Sequence, residues 1–392
     1  MDIALNNINS IPPSCMFEQR PHELAFGRPV QPMEQVSKQL PLPDRVRLYP
    51  LPADQHKREQ IFVKACHAGN VAEVQHLLCV APGLTAYKDY SELIDQAIEK
   101  NDSGMLDLLL EYQNGGVFRR LGLLDLAIRK AVQGGHTDIV RSLLKREENR
   151  HPWAALIRVH DLTDAVSLGH REIVALLVQA GGELNAHSGE LKGTPLSFAA
   201  KRGDRLMVEQ LLELGADPNQ RAGNYNNGHT PLAWACDNGD LPTAKVLVKA
   251  GAIVDRVEYR GYTALSIAVR FGYEEVARYL LQMGADVNAA GDPQNTPLYM
   301  AVKYCRFDLL KKLLQAGAAP DLLFAHEVED TPLMLAVRKG EVALVEPLLN
   351  HGADIHKTGA KQFSALEQAV RGPFGHIAAM LRAKAAQPGA QP

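Results

Sequence analysis

From about residue 56 onward, apolar residues recur at helical spacing in short blocks, each separated from the next by glycine and polar residues. One such block carries Val208, Leu211 and Leu212, and Gly215 closes it. A stripe of that kind predicts an amphipathic helix with one buried face. Earlier blocks repeat the pattern as Val74, Leu77 and Leu78; Leu106, Leu109 and Leu110; Val140, Leu143 and Leu144; and Val174, Leu176 and Leu177. Glycine takes the left-handed conformation that ends helices, so each block predicts a helix with a defined stop.

A second mark precedes these blocks in the later part of the chain. Thr-Pro-Leu begins at Thr194, Thr230, Thr296 and Thr331, with variants at Thr263 and Ser364. Successive spacings are 36, 33, 33, 35 and 33 residues. Threonine caps a helix by accepting a backbone N–H, and proline fits the first helical turn, where its missing donor has no partner. Each unit is therefore a short first helix, such as 195–201, a break at a glycine such as Gly203, and a second amphipathic helix. Neither helix of a pair can bury its apolar face alone, so the units must stack. The phased unit of about 33 residues resembles the ankyrin repeat. The resemblance is strong over residues 192–384 and weaker over 56–191, where the first helices (93–100, 124–132 and 162–167) lack the Thr-Pro-Leu cap. It implies an all-α solenoid of stacked helix–turn–helix units with short hairpin-like turns. We count nine units, four degenerate and five regular, the last starting at Ser364 and serving as C-terminal cap.

Two features depart from the pattern. Pro347 falls inside a second helix and should kink it by removing one backbone bond. The turn from Arg221 to His229 is longer than its peers and carries Asn224, Tyr225, Asn226 and Asn227. The ends of the chain are different in kind. Nine prolines lie between Pro12 and Pro52, which forbids long elements and predicts a disordered arm over 1–55. Residues 385–392 form an Ala/Gln/Pro/Gly tail.

The 392 residues would suggest two or three compact domains, but a repeat array escapes that limit because each unit touches only its neighbours. A formal net charge of −3 argues against a general attraction to nucleic acid or to an anionic membrane. Five scattered cysteines, Cys15, Cys66, Cys79, Cys236 and Cys305, contain no Cys-x-x-Cys pair and fit a reducing compartment. No stretch approaches a membrane span, and no secretory signal peptide is present, so a cytoplasmic location is expected. No cofactor is implied, and the 14 histidines form no metal motif. His136, His170 and His376 each follow a glycine at the start of a second helix, a structural slot in the resemblance. Neither a nucleophile elbow nor a phosphate-binding Gly-x-x-x-x-Gly-Lys loop occurs, so no enzyme is predicted.

The resemblance places partner contacts on turn tips and on the inner face of the first helices. The pairs ending those helices are Lys201 and Arg202, Asp237 and Asn238, Arg270 and Phe271, Lys303 and Tyr304, and Arg338 and Lys339. Tyr259, Arg260 and Tyr262 join them from the turn before the third regular unit. Tyrosine and arginine dominate interface hot spots, and bases of this kind suit an acidic or phosphorylated segment of a partner protein. The plain alternative is that such residues keep the stack soluble. Acidic tips at Glu327, Glu329 and Asp330 would repel nucleic acid. The groove would serve a protein-binding adaptor or an inhibitor that occludes a partner's active site. It would equally serve a secreted bacterial effector, because Met1 to Cys15 is polar and Asn/Ser/Ile-rich and resembles a type III leader. If the stripe assignment holds, replacing Leu211 or Leu280 by Ala costs about 2–5 kcal/mol in denaturant unfolding.

Overall fold

A computed structural model describes residues 52–81, 84, 90–112, 117–145, 153–187, 193–221, 228–322, 330–359 and 363–386. Most of the proline-rich arm, the Asn224–Asn227 segment, and Glu327 and Glu329 lie outside them. The chain divides into two bodies at Tyr87 and Lys88. In the first, α1 (Gln55–His67) packs on α2 (Val71–Val80) through Phe62, Ala65, Val74, Leu77 and Leu78, all buried.

The second body is a series of nine helix pairs among its described residues. They are α3 (Tyr90–Glu99) with α4 (Ser103–Glu111), α5 (Val117–Gly134) with α6 (Thr137–Lys145), and α7 (Trp153–Leu168) with α8 (Arg171–Gln179). The regular pairs follow as α9 (Pro195–Arg202) with α10 (Arg205–Glu213), α11 (Pro231–Asn238) with α12 (Leu241–Lys249), and α13 (Ala264–Phe271) with α14 (Glu274–Gln282). Then come α15 (Pro297–Lys303) with α16 (Phe307–Gln315), α17 (Pro332–Lys339) with α18 (Val342–Asn350), and α19 (Ala365–Arg371) with α20 (Gly375–Ala385). Each first helix packs on its own second helix and on the first helices of adjacent pairs. With α1 and α2 the described pairs number ten, not nine, because each of the six Thr or Ser caps opens its own unit.

The caps form as their chemistry requires. Thr194, Thr230, Thr263, Thr296, Thr331 and Ser364 each accept the backbone N–H three residues on, at 3.2–3.3 Å. Where the cap is missing the first helix has no fixed start, and α5 and α7 run longer than the sequence pattern predicts. In α2 and α4 the buried stripe falls where expected, at Val74, Leu77 and Leu78 and at Leu106, Leu109 and Leu110, but in α6, α8 and α10 it starts one residue earlier than expected. Ile139, Val140 and Leu143 are buried, as are Ile173, Val174 and Leu177, and Met207, Val208 and Leu211. Leu144, Leu176 and Leu212 are only half-buried. Leu211 and Leu280 are fully buried, as the pattern predicts. α18 carries Pro347 and continues to Asn350, so the proline removes one donor without ending the helix. At the C-terminus α20 extends to Ala385, one residue into the predicted tail.

Among the described residues no β-strand forms. The turns hold register differently: a side-chain oxygen in one turn accepts a backbone N–H in the next unit. Asn185 takes Asp217 N–H at 2.9 Å, Asn219 takes Ile253 at 2.8 Å, and Asp255 takes Asp286 at 2.9 Å. Asn288 takes Ala319 at 2.9 Å and Asp321 takes Asp354 at 2.7 Å.

A further inter-unit contact sits at the break between the two helices. Gly239 has φ 70°, and a Cβ there would lie 2.6 Å from the Tyr273 ring of the next unit. His170 covers Gly135 in the same way, which gives that histidine its structural place. In two units the slot holds another residue instead of glycine, Asn101 and Cys305, each with φ 54°. A left-handed non-glycine residue is strained by about 1–2 kcal/mol. Cys305→Gly should therefore stabilise the chain by about 1 kcal/mol, allowing for the entropy glycine adds to the unfolded state, as read from the denaturation midpoint.

Candidate functional site

The first-helix ends are exposed because each helix is short and its last turn projects past the core. Lys201 and Arg202 close α9, Arg270 and Phe271 close α13, Lys303 and Tyr304 end α15, and Arg338 and Lys339 close α17. The last carbonyls of such helices need partners, and the following unit supplies them. Asn238 Nδ2 donates to Lys201 O at 2.8 Å, and Arg306 Nη2 donates to Arg270 O at 3.1 Å. The ends are thus held from the neighbouring unit, which fixes where their side chains begin.

Four of the sequence-predicted residues come together around one guanidinium. Arg270 lies 5.4 Å from the Tyr262 ring centroid, 5.2 Å from Phe271 and 5.7 Å from Tyr304. Phe271 and Tyr304 remain 38% and 37% exposed, so the rings are available to a partner as well as to Arg270. Phe271 also stacks on Tyr273, with centroids 6.0 Å apart. Cation–π contacts of this kind hold the charge in place without neutralising it.

The other predicted residues are arranged separately. Tyr259 and Arg260 lie in the 3-10 turn Tyr259–Gly261, where the Arg260 guanidinium covers the Tyr259 ring at 5.3 Å. Arg260 has φ 61°, and its carbonyl accepts Asn295 Nδ2 at 2.5 Å, so the turn is tied to the next unit. Lys201 reaches forward over the Trp234 ring at 4.7 Å. Arg338 forms an ion pair with Asp330 and is partly neutralised. Arg202, Lys303 and Lys339 are exposed.

Sequence reasoning missed Trp234 and the polar node beside it. Trp234 stands four residues after its cap Thr230, the position Phe198 holds after Thr194, so the signal was present in the repeat alignment. His229 meets the Trp234 ring edge-on, with centroids 5.0 Å apart at 86°. Below it Glu258, 5% exposed, accepts Thr230 Oγ1 at 2.6 Å and Thr230 N–H at 3.2 Å. Burial raises the Glu258 carboxyl above its ordinary value, against the lowering effect of the Thr230 bonds. Burial likewise holds the His229 imidazole below its ordinary 6.5, opposed by the nearby Asp237 charge.

The thiols are placed for packing. Cys236 is fully buried in α11 and burial pushes its pKa far up, while Cys66 is pushed up to about 12. Both stay protonated near neutrality and are poor nucleophiles. Among the described residues no group of three His, Cys, Asp or Glu side chains could hold a metal ion. No described helix is long and apolar enough to cross a membrane.

Capped first helices, amphipathic second helices and turn-to-turn bonds at a period near 33 residues define a helical repeat solenoid whose exposed helix ends present side chains in register. The chain belongs to the ankyrin repeat family, whose model "Ankyrin repeats (3 copies)" matches residues 196–291, 260–323 and 298–391. Ankyrin repeats generally mediate protein–protein interaction. Among solved structures, the human ASB11 ankyrin repeat domain is 29% identical, with a TM-score of 0.48 over 58% of this chain and 99% of that one. The ankyrin repeat domain of Bcl-3, a unique member of the IkappaB protein family, is 27% identical, with a TM-score of 0.49 over 56% and 97%. No curated protein matches the sequence.

A histidine whose folded pKa lies below its unfolded value contributes stability that is fully present above 6.5 and lost as the pH falls through it. Glu258 works in the opposite sense, because its burial cost fades as the pH falls and the carboxyl protonates. Wild type should therefore lose more stability than His229→Phe between about pH 7 and 5.5, by chemical denaturation at each pH.

Proposed function

We propose that the chain is a non-catalytic interaction scaffold or adaptor that holds one protein partner along the first-helix ends and turn tips of the regular repeats. The observation that carries this reading is the Arg270 cluster. One guanidinium, without an ion pair among the described residues, is positioned by Tyr262, Phe271 and Tyr304, and two of those rings stay open to solvent. Large aromatic and arginine side chains in one held arrangement are what an interface core requires, since little side-chain freedom remains to be lost on binding. Solubility alone would be served by lysines and glutamates.

The partner chemistry that fits is an acidic or phosphorylated segment, because Lys201, Arg202, Lys303 and Lys339 extend the same positive charge along neighbouring units. Nucleic acid fits less well. The whole chain is mildly acidic, and Arg338 is already paired with Asp330. The non-catalytic reading rests on the sequence motifs and is supported by the raised pKa values of the two buried thiols. The effector alternative uses the same surface and rests on the composition of residues 1–55.

A quantitative pull-down from bacterial and eukaryotic lysates tests both. It compares wild type with a Tyr259→Ala, Arg270→Ala, Phe271→Ala variant of unchanged unfolding midpoint. A partner captured by wild type and lost by the variant supports the site. Partners that persist with the variant remove it. Export of a reporter fused to residues 1–55 by a type III system separates effector from adaptor.

A further inference from the structure

We propose that Asp237 sets the register of the bound segment, which places a basic residue opposite Asp237 and acidic residues on both sides of it. The proposal rests on the reading above that the first-helix ends hold a partner segment. The position seven residues after each cap is Lys201, Asp237, Arg270, Lys303, Arg338 and Arg371 in successive capped units. These units are neighbours in space: α9 packs on α11, α11 on α13, α13 on α15, and α15 on α17. Lys201 and Arg270 each reach a ring of the following unit, which ties two of the steps together.

The cations in this row have a local explanation. A base in the last turn of a helix complements the helix dipole and its free carbonyls. Asp237 has no such explanation, because a carboxylate near a helix C-terminus is disfavoured by the same dipole. Nor does it serve a contact within the chain: it makes no hydrogen bond or ion pair among the described residues and is half-exposed. Its internal effects are electrostatic alone: it opposes the effect of burial on the His229 imidazole and adds to the upward push on the buried Cys236 thiol. A locally unfavourable charge without a hydrogen bond or ion pair among the described residues, the one acid in a basic row, points to a counterpart outside the chain.

The free steps therefore read positive, negative, positive, positive from Lys201 to Lys303, with Arg338 partly neutralised by Asp330. Packed helices lie about 8–10 Å apart, and an extended chain advances about 3.3–3.6 Å per residue, so one unit corresponds to about three ligand residues. The complementary segment is extended and carries Glu at i, Lys at i+3, and Glu at i+6 and i+9. Phosphoresidues could replace the glutamates.

Fluorescence anisotropy of labelled peptides against the full-length chain tests this. The probes are the matched peptide, one with Glu at all four steps, and one with the lysine moved to the last step. Wild type should prefer the matched peptide over the all-acidic one by about fivefold, the scale of one like-charge contact replaced by an opposite one, and over the moved-lysine peptide, which mismatches two steps, by more than that. Asp237→Lys should invert the order of the matched and all-acidic peptides, and Asp237→Asn should level it. If either variant keeps the wild-type order, Asp237 does not read the ligand and the proposal falls. If wild type binds none of the peptides, or prefers single-stranded DNA to all three, the charge order also falls. A pull-down partner still lost on mutating Tyr259, Arg270 and Phe271 would then leave the groove reading standing.

Discussion

The constraint on which this molecule depends is that a helix pair of about 33 residues cannot bury its own apolar face. Stacking supplies the burial, but apolar surfaces slide, and sliding by a fraction of a turn would scatter every exposed side chain. The turn bonds prevent it. Asn185, Asn219, Asp255, Asn288 and Asp321 each hold a backbone N–H of the following unit at 2.7–2.9 Å. Asn219 adds a second bond, its Nδ2 donating to Gly251 O at 3.0 Å. A hydrogen bond is directional where hydrophobic contact is not, so the ladder converts a general attraction into one register. The row of first-helix ends inherits its order from that register.

Much of the fold was legible because its marks are local. Threonine before proline fixes a helix start by its own hydrogen bond, and glycine fixes a stop by its own φ. In α6, α8 and α10 the stripe starts one residue before the expected position, since leucines on the rim look like leucines in the core. Leu212 is half-buried while Met207, at the other edge, is fully buried. The lengths of α5 and α7 were not legible, because nothing local starts them. The turn ladder was missed for a different reason: Asn and Asp are common in any turn, and only the structure shows which oxygen reaches across.

The site divides in the same way. Arg270, Phe271 and Tyr304 could be picked out because they share a position in the repeat, and they do meet. Tyr259 and Arg260 lie on the turn instead and pair with each other. Trp234 shares its repeat position with Phe198, but the node of His229, Glu258 and Thr230 beside it is not legible in sequence, because burial, not sequence position, gives the carboxylate and the imidazole their altered protonation. Asp237 is visible as an exception in a basic series, but only its lack of a hydrogen bond or ion pair among the described residues gives the exception weight.

The turn ladder has a consequence for how such a chain can change length. Each rung spans a single boundary and joins equivalent atoms, an Asn or Asp oxygen to an N–H about one period on. Excising one whole unit, or duplicating it, leaves every rung with a new partner of the same kind and no orphaned donor. Recombination at that period therefore edits the order of charges along the helix ends as a typesetter moves letters, while the scaffold that carries them closes up unharmed.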